Sequence, residues 1–248
     1  MIDQPRTPRF YIDPADATLA PATQLRLPDS KARHAAQVLR LRAGDGVVLF
    51  DGRGGEYCAS IESVGRREVL VALREHVSVE RESILAPTLV QAVLAADMMD
   101  LVVRKAVELG AARVVPVRTR RSQTAGGDRA ERRALHWRQI AIAACEQCGR
   151  NRLAEIEPLR EFSELVAALE GAFTVALLPD APASLLDVLG EVRPRSILIG
   201  PEGGFTSAEV GQLEARGVHG ATLGARTLRA ETAAIAALAI VDALGPER

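Results

Sequence analysis

The sequence predicts an α/β protein in two parts: a small β-rich barrel over residues 1–80 and a parallel-sheet domain over residues 81–248. Three observations support this prediction. Short β-type segments fill residues 46–74, strands and helices then alternate over the rest of the chain, and the polar run Ser78–Ser83 separates the two patterns. Alternation of strands and helices is typical of a parallel sheet that is covered by helices on both faces.

The first part contains one predicted helix and three predicted strands. Pro28-Asp29-Ser30 is a helix start and Gly44 a helix stop, which places the helix near residues 31–41. The turn Gly52–Gly55 is typical of a hairpin between the first two strands. The three strands are predicted at Val47–Asp51, Glu56–Val64 and Glu68–Arg74.

The second part shows the longer alternation, and glycines mark the ends of two helices. Gly110 and Gly149 follow apolar-periodic segments directly, as helix-ending glycines do. Strands are predicted at Thr88–Leu94, Arg113–Val117, Phe173–Leu178, Arg195–Ile199 and Ala221–Leu223. Helices are predicted at Asp97–Leu109, Arg129–Cys148, Glu161–Glu170, Ser207–Arg216 and Ala230–Leu244, with a short one between the strands at 173–178 and 195–199.

Composition excludes several classes of protein. Apolar residues make up 48% and charged residues 25% of the 248 residues, which is the balance of a globular chain and not of a disordered, collagen-like or coiled-coil one. No apolar run approaches the roughly 20 residues that cross a bilayer. The N-terminus carries acids and prolines where a signal peptide would be apolar. We therefore expect a cytoplasmic protein without membrane segments.

The net charge of −1 hides a basic segment. Residues 113–160 contain eleven arginines and five acidic residues, whereas residues 161–248 contain six basic and twelve acidic residues. Such clustering predicts a local surface for a polyanion. Arginine accounts for 29 of the 31 basic residues. A GC-rich genome would explain that ratio as well, so the clustering is the stronger observation.

The motifs of several common chemistries are absent from the sequence. It contains no P-loop, no G-x-G-x-x-G fingerprint and no G-x-S-x-G nucleophile elbow. No two of its four histidines have metal-ligand spacing. Cys145 and Cys148 lie at a predicted helix end without a second ligand pair, so they are interpreted as two small residues on one helix face and not as a zinc or redox site. We expect no metal.

Three loops that follow predicted strands form the candidate site. They cover residues 178–180, 200–206 and 224–232, and the last two contain glycines. Ligands of α/β sheets bind outside the carboxyl ends of the strands, so these loops are expected to form the wall of a ligand site. Glycines there allow the backbone to approach an adenine or a ribose closely. The charged candidates within these loops are Glu202, Arg229 and Glu231.

The loop motifs belong to a wider sequence pattern. The most specific segments are GPEGGF at 200–205, LGARTLRAET at 223–232 and WRQIAIAACEQCGRNRLAEI at 137–156. Further matches are HAAQVLRLRAGD at 34–45, FDG at 50–52 and VRKAVELG at 103–110. Together they resemble the RsmE family of the SPOUT superfamily, bacterial methyltransferases that act on N3 of a uridine in 16S ribosomal RNA. The resemblance spans roughly residues 30–240.

The resemblance implies further properties of this chain. They are a PUA-like RNA-binding barrel in the first part, a trefoil knot in the second, S-adenosyl-L-methionine as the cofactor, 16S rRNA of the small ribosomal subunit as the substrate, and a homodimer. In that dimer each cofactor pocket lies close to the partner subunit. Carried over by matching positions, the cofactor-binding residues are Leu178, Pro179, Ile199, Gly200, Pro201, Glu202, Gly203, Leu223, Gly224, Leu228, Arg229, Glu231 and Thr232.

Methylation of uracil N3 requires loss of the N3 proton, so negative charge develops on the ring. Arg121 or Arg229 is the candidate for stabilising that charge on the uracil oxygens. Glu202 is the candidate general base or, alternatively, the group that orders its loop. For Arg229 the alternative is an ion pair with Glu231 or Glu202.

Candidate RNA contacts lie in both parts of the chain. His34 either stacks on a base or caps its helix, and we favour the cap. Aromatic residues make up only 3% of the chain, so binding is expected to depend on phosphate contacts and to weaken with salt. Ala95–Met98 and Gln123–Gly127 lack basic positions that relatives carry. The arginine candidates are Arg33, Arg40, Arg42, Arg118, Arg120 and Arg121.

Two other functions also fit the sequence. One is a non-catalytic RNA-binding factor for ribosome assembly, against which the intact GPEGG and LRAET loops argue. The other is a SPOUT methyltransferase with a different RNA target, such as a ribose hydroxyl or a transfer RNA.

Overall fold

The computed structural model describes residues 7–66, 68–122 and 128–245. The chain divides into two compact units. The first consists of Met1–Glu82 together with Cys145–Leu153, and the second consists of Ser83–Ala144 together with Ala154–Arg248. Cys145–Leu153 thus belongs to the first unit although it lies far from Met1–Glu82 in sequence, and no sequence pattern indicated this.

The first unit is built on a five-stranded sheet with the order β1-β3-β4-β5-β2. Its strands are β1 (Arg9–Tyr11), β2 (Gln24–Arg26), β3 (Gly46–Phe50), β4 (Glu56–Val64) and β5 (Val69–Val77). β3, β4 and β5 form an antiparallel meander, and β1 pairs in parallel with β3. The three predicted strands are confirmed. β1 and β2 were not predicted, because three residues are too few to show the alternation of a strand.

The predicted helix near residues 31–41 is present in a different form. α1 covers Asp29–Arg33 and continues as a π-helical turn over His34–Val38. Arg40 then adopts φ 55°, a left-handed conformation that is uncommon outside glycine. The helical segment therefore ends earlier than the sequence indicates.

The second unit contains a parallel sheet, as predicted. The strand order is β12-β10-β11-β6-β7-β8, with β9 also paired to β7, and all of these described pairings are parallel. The strands are β6 (Thr88–Ala92), β7 (Arg113–Arg118), β8 (Glu155–Ile156), β9 (Arg160–Glu161), β10 (Thr174–Leu177), β11 (Ser196–Ile199) and β12 (His219–Ala221). The trefoil knot that the family resemblance implies stays a prediction.

Helices cover both faces of this sheet. Alternate residues of a strand point to opposite faces, and the cores follow that alternation. Leu89 packs with residues of α2 and α7, whereas Val90 packs with residues of α4 and α6. The helices are α2 (Ala96–Glu108), α3 (Asp128–Cys148), α4 (Phe162–Ala168), α5 (Leu185–Glu191), α6 (Ser207–Ala215) and α7 (Ala230–Ala243).

The bounds of most strands differ from the predicted ones by one to three residues, and β12 is displaced as a whole. It covers His219–Ala221, whereas Ala221–Leu223 was predicted. Thr222 leaves the strand because its backbone bonds Ala183 and Leu185 of the segment before α5, at 2.9 and 2.8 Å. In the portion of the chain that is described, no helix is both long and apolar enough to span a bilayer.

Candidate functional site

The carboxyl ends of three neighbouring strands lie side by side. Leu177 of β10 is the register partner of Ile199 in β11 and of Ala221 in β12. The loops that follow these residues therefore leave the sheet at the same level. On the other side of β11, Ile199 is the partner of Gln91 in β6. The three predicted cofactor loops thus share one edge, which we call the carboxyl edge.

The loop 200–206 is held from two sides. Glu202 Oε1 accepts a hydrogen bond from the backbone N–H of Ala95 at 3.4 Å. Arg121 Nη1 donates to the carbonyl oxygen of Gly203 at 2.7 Å. A Cβ on Gly203 would lie 3.3 Å from Arg121 Cδ, so the glycine lets the arginine approach the loop closely. The structure brings the candidate catalytic residues Arg121 and Glu202 together at this loop.

The contact of Glu202 has an electrostatic consequence. Ala95 is the N-cap residue of α2 and offers no side-chain cap. The carboxylate of Glu202 therefore supplies a negative group at the amino end of this helix, where the helix dipole favours anions. This contact is the one expected of a residue that orders its loop. The role of general base stays a prediction.

Arg229 takes no part in the contact between Glu202 and Ala95. It is the N-cap residue of α7, and its side chain is exposed. Within residues 7–66, 68–122 and 128–245 its guanidinium makes neither a hydrogen bond nor an ion pair, so the predicted alternative of a pair with Glu231 or Glu202 is not formed there. Glu231, in the first turn of α7, is buried at 8% exposure.

The remaining cofactor candidates line the carboxyl edge with apolar side chains and accessible backbone. Leu178, Leu223 and Leu228 are half-buried, and Gly224 has φ 75°. No described atom lies within 4 Å of a Cβ placed on Gly224, so space is open beside this backbone. Apolar walls with nearby main-chain donors and acceptors suit a nucleoside. Pro201 and Ile199 are buried below them, whereas Pro179 and Thr232 are exposed.

The RNA candidates of the first unit lie on α1 and the segment after it. Arg33, Arg40 and Arg42 are exposed there. His34 is exposed as well. It is the C-cap residue of α1, where the helix continues into the π-helical turn, and its ring packs edge-on against Phe10 with centroids 6.2 Å apart. Stacking of His34 on a base stays a prediction.

The candidate RNA-binding arginines of the second unit differ in whether their side chains are paired within the protein. Arg118 pairs with Glu161 at 2.7 Å. Arg120 is exposed, and so is Arg121 apart from its bond to the loop. Of the departures from the family pattern, Ala95–Met98 forms the start of α2, whereas Gln123–Gly127 lies outside the described residues.

The two cysteines of the motif differ in burial and are not joined in a disulfide. Cys145 is buried and its thiol donates to the carbonyl oxygen of Arg152 at 3.7 Å, whereas Cys148 is half-buried. Glu146 between them accepts hydrogen bonds from the backbone of Tyr11 and from Lys31. Where the chain is described, no three His, Cys, Asp or Glu side chains are grouped so that they could hold a metal ion.

A cavity of about 430 Å³ lies at the opposite edge of the same sheet, at the amino ends of the strands. Its charged lining residues are engaged, since Arg113 bonds Glu155 at 3.1 Å and Arg195 pairs with Glu170 at 3.4 Å. A concave shape alone does not identify a binding site. The candidate cofactor and catalytic residues lie at the carboxyl edge, so we do not assign the cavity as the functional site.

Glu209 is a residue of the carboxyl edge that the sequence did not single out. It is buried at 6% exposure in the first turn of α6 and contacts the backbone of Arg120. The T-x-x-E pattern at 206–209 indicates a capping box, but it contains no signal for the contact with Arg120.

Comparisons with known proteins agree with this arrangement. The family described as RNA methyltransferase domain matches residues 81–242, and the one described as RNA methyltransferase PUA domain matches residues 27–74. Ribosomal RNA small subunit methyltransferase E of Rickettsia conorii is 31% identical over 246 residues, which are 96% of each chain. Its counterpart in Synechocystis is 31% identical over 224 residues, covering 88% of this chain and 72% of the relative.

A solved structure extends the likeness to three dimensions. The crystal structure of ribosomal RNA small subunit methyltransferase E from Neisseria gonorrhoeae, bound to S-adenosyl methionine, is 32% identical in sequence. It aligns with a TM-score of 0.88 over 97% of this chain and 98% of its own.

Proposed function

The chain belongs to the RNA methyltransferase family, and we propose that it transfers a methyl group from S-adenosylmethionine to N3 of one uridine in 16S ribosomal RNA of the small subunit. The observation that carries this proposal is the meeting of three ligand-type loops at the carboxyl edge, beside Arg121. The related enzyme with bound S-adenosyl methionine supports the choice of methyl donor. Cytoplasmic location and a homodimer belong to the same proposal.

The three loops fit a nucleoside cofactor. Leu178, Leu223 and Leu228 provide apolar walls, and Gly224 leaves room beside its backbone. When bound, the cofactor supplies a methyl group made electrophilic by its positively charged sulfur. The other cofactor-binding residues proposed are Pro179, Ile199, Gly200, Pro201, Glu202, Arg229, Glu231 and Thr232.

The arginines provide for the charge that develops on the substrate. Uracil N3 carries a proton at neutral pH, so the base must release that proton to solvent water and become anionic before N3 accepts the methyl group, whose bond to sulfur breaks as the bond to N3 forms. Arg229 is exposed, and its donors have no partner among the described residues. Arg121 uses one nitrogen on Gly203, while a guanidinium carries five N–H donors in all. We assign both to stabilising the uracil oxygens. Donors fixed in advance at such a position are worth about 10²–10³ in rate each.

Glu202 is assigned the ordering of the loop 200–206, on the basis of its bond to Ala95. Glu202→Gln separates this role from that of a general base. A glutamine oxygen can still accept the Ala95 N–H, but the amide cannot take up a proton. We expect Glu202→Gln to keep turnover and its pH profile within a few-fold of the unmodified protein. A loss of about 10²–10⁴, the usual contribution of a general base, would restore the base assignment.

The exposed arginines of both units are assigned to the RNA backbone. They are Arg33, Arg40, Arg42, Arg120 and Arg121, with His34 beside them and Arg118 contributing only if it leaves Glu161. The target uridine must be unstacked from the folded RNA to reach the loops, as is usual for enzymes that modify a base.

Mass mapping of the methylated nucleoside tests the function. The protein is incubated with unmodified small ribosomal subunits and isotopically labelled S-adenosylmethionine, and the RNA is digested to nucleosides. We expect label on the base of a single uridine in 16S rRNA. Label on a ribose or in transfer RNA would instead support a methyltransferase with another target. Failure to bind S-adenosylmethionine in calorimetry would support the non-catalytic RNA-binding factor.

A further inference from the structure

The carboxylate of Glu209 makes two kinds of contact. Oε2 accepts hydrogen bonds from the backbone N–H and the hydroxyl of Thr206 at 2.8 and 2.9 Å, and the Thr206 oxygen accepts the Glu209 N–H at 3.3 Å. These bonds form a capping box at the amino end of α6. The other oxygen, Oε1, accepts the backbone N–H of Arg120 at 2.8 Å. One oxygen is used locally and the other on a loop 89 positions away in sequence.

A second capping box in the same unit shows that the cap does not require the distant contact. At the start of α5, Asp187 Oδ2 accepts the N–H and the hydroxyl of Ser184 at 3.1 and 2.7 Å. The Asp187 N–H bonds the Ser184 hydroxyl at 3.2 Å in return. The shorter aspartate thus completes a capping box, and it is exposed, whereas Glu209 is buried. The extra methylene of Glu209 is therefore not needed for the cap.

The contact with Arg120 bears on Arg121. Residues 119–122 form a turn in which the Thr119 N–H bonds the Ser122 hydroxyl at 3.0 Å and the Ser122 N–H bonds the Thr119 carbonyl at 3.2 Å. Glu209 fixes this turn to α6 through the Arg120 amide, and the next residue bonds Gly203.

These contacts make a closed ring. The chain runs from Gly203 to Glu209, a hydrogen bond joins Glu209 to Arg120, the chain continues to Arg121, and a second hydrogen bond returns to Gly203. A ring of this kind restricts the direction in which Arg121 leaves the backbone. Burial of Glu209 excludes water that would compete for the Arg120 amide.

We infer that Glu209 is a positioning residue for Arg121: its buried carboxylate joins the amino end of α6 to the turn 119–122 and sets the place of the Arg121 guanidinium. The inference rests on the proposed function, in which Arg121 stabilises charge on the uracil. A displacement of about 1 Å in a catalytic group can cost 10²-fold in rate.

Glu209→Asp is the variant that separates the two contacts. Aspartate at this position retains the capping box, as Asp187 does at α5, but its carboxylate is one methylene too short for the Arg120 amide. We expect kcat for methyl transfer to fall about tenfold to hundredfold, while the melting temperature and the Kd of S-adenosylmethionine change little. Hydrogen–deuterium exchange in the peptide that covers residues 119–122 should become faster. Asp187→Asn, which weakens the other capping box, is the matched control and should leave both kcat and that exchange unchanged.

The double variant Glu209→Asp with Arg121→Ala shows whether Glu209 acts through Arg121. We expect Glu209→Asp to have little further effect on kcat once Arg121 is absent. Equal loss in both backgrounds, or normal kcat in the single variant, would overturn the inference. If the unmodified protein transfers no methyl group, the proposed function fails, and the exchange measurement alone decides whether Glu209 holds the turn.

Discussion

The charged residues of the two units are arranged in opposite ways. In the first unit buried charges satisfy one another: Glu56 accepts hydrogen bonds from Arg9 at 2.6 Å and from Arg81 at 2.9 Å, with only 11% of the carboxylate and of the Arg9 side chain exposed. At the carboxyl edge of the second unit, Arg121 and Arg229 extend into solvent. A charge removed from water needs partners to offset its desolvation, whereas an exposed guanidinium keeps donors for a ligand.

The difference also bears on the basic segment 113–160. Among its described residues, ion pairs within the chain engage Arg113, Arg118, Arg150, Arg152 and Arg160, so part of the charge of the segment is balanced locally. Arg150 shows this most clearly, because its side chain is 4% exposed and bonds Glu82 at 2.5 Å. The charge balance of a segment does not tell which of its arginines face solvent.

Removal of Arg229 should produce the largest effect, on rate and not on stability. We expect Arg229→Ala to lower kcat by about 10²–10³, since it removes a donor assigned to the developing uracil charge. The side chain is exposed, so the melting temperature should stay unchanged. Arg226→Ala, in the same loop and also exposed, is the matched control in the same methyl-transfer assay. Similar rates for the two variants would contradict the assignment of Arg229.

Removal of Glu56 should show the opposite pattern. We expect Glu56→Ala to reduce the free energy of unfolding by about 3 kcal/mol, because it leaves the buried Arg9 with only neutral acceptors, Asn151 and the Arg150 carbonyl, and without its carboxylate. This is the lower part of the usual range, since Arg81 is 41% exposed and can turn to water. Glu62→Ala on the exposed side of β4 should change stability by less than about 0.5 kcal/mol. Urea denaturation measures both, and equal values would show that the buried cluster contributes nothing.

The same cluster makes stability depend on pH. Burial by itself raises the pKa of Glu56, but hydrogen bonds and charges from Arg81 and Arg9 outweigh it and hold the pKa below the ordinary value of 4.5. The unfolded chain therefore binds this proton more readily, so the contribution of Glu56 is complete above about pH 4.5 and is lost as the pH falls through the folded pKa.

Glu56→Gln isolates this effect, because glutamine has no such titration. The difference in unfolding free energy between the unmodified protein and the variant should be largest above pH 5 and should shrink as the pH falls below about 4.5. Denaturation midpoints measured from pH 3 to pH 7 supply the comparison. A difference that stays constant over this range would show that folding does not lower the pKa of Glu56.

Much of the fold could be predicted from the sequence, because long helices and strands show a periodic pattern of apolar residues. A long strand such as β4 buries residues on one face, and a long helix such as α7 buries every third or fourth residue. Each pattern can be recognised in the sequence of that element alone. β1, β8 and β9 have two or three residues each and exist only because another strand accepts them. Their pairing is non-local, so no local pattern predicts them.

A similar share of the candidate site could be predicted from the sequence. The loops after β10, β11 and β12 were predicted because parallel strands end at one edge of a sheet. The contacts of Arg121 with Gly203 and of Glu209 with Arg120 join loops that follow non-neighbouring strands, since β6 lies between β11 and β7. Such contacts depend on strand order, which the sequence does not state. The π-helical turn at His34–Val38 was missed because its composition is that of an ordinary helix.

The smallest expected effect compares two exposed arginines of the first unit, Arg42 and Arg74. If Arg42 contacts a phosphate, Arg42→Ala should weaken binding of 16S rRNA fragments and reduce the slope of log K against log salt by about one. Arg74→Ala, an exposed arginine on β5 outside the assigned RNA contacts, should leave the slope unchanged. Fluorescence anisotropy titrations at several potassium chloride concentrations measure both. Because counterion release depends on phosphate contact and not on net charge, equal slopes for the two variants would mean that Arg42 acts only through the overall charge of the protein.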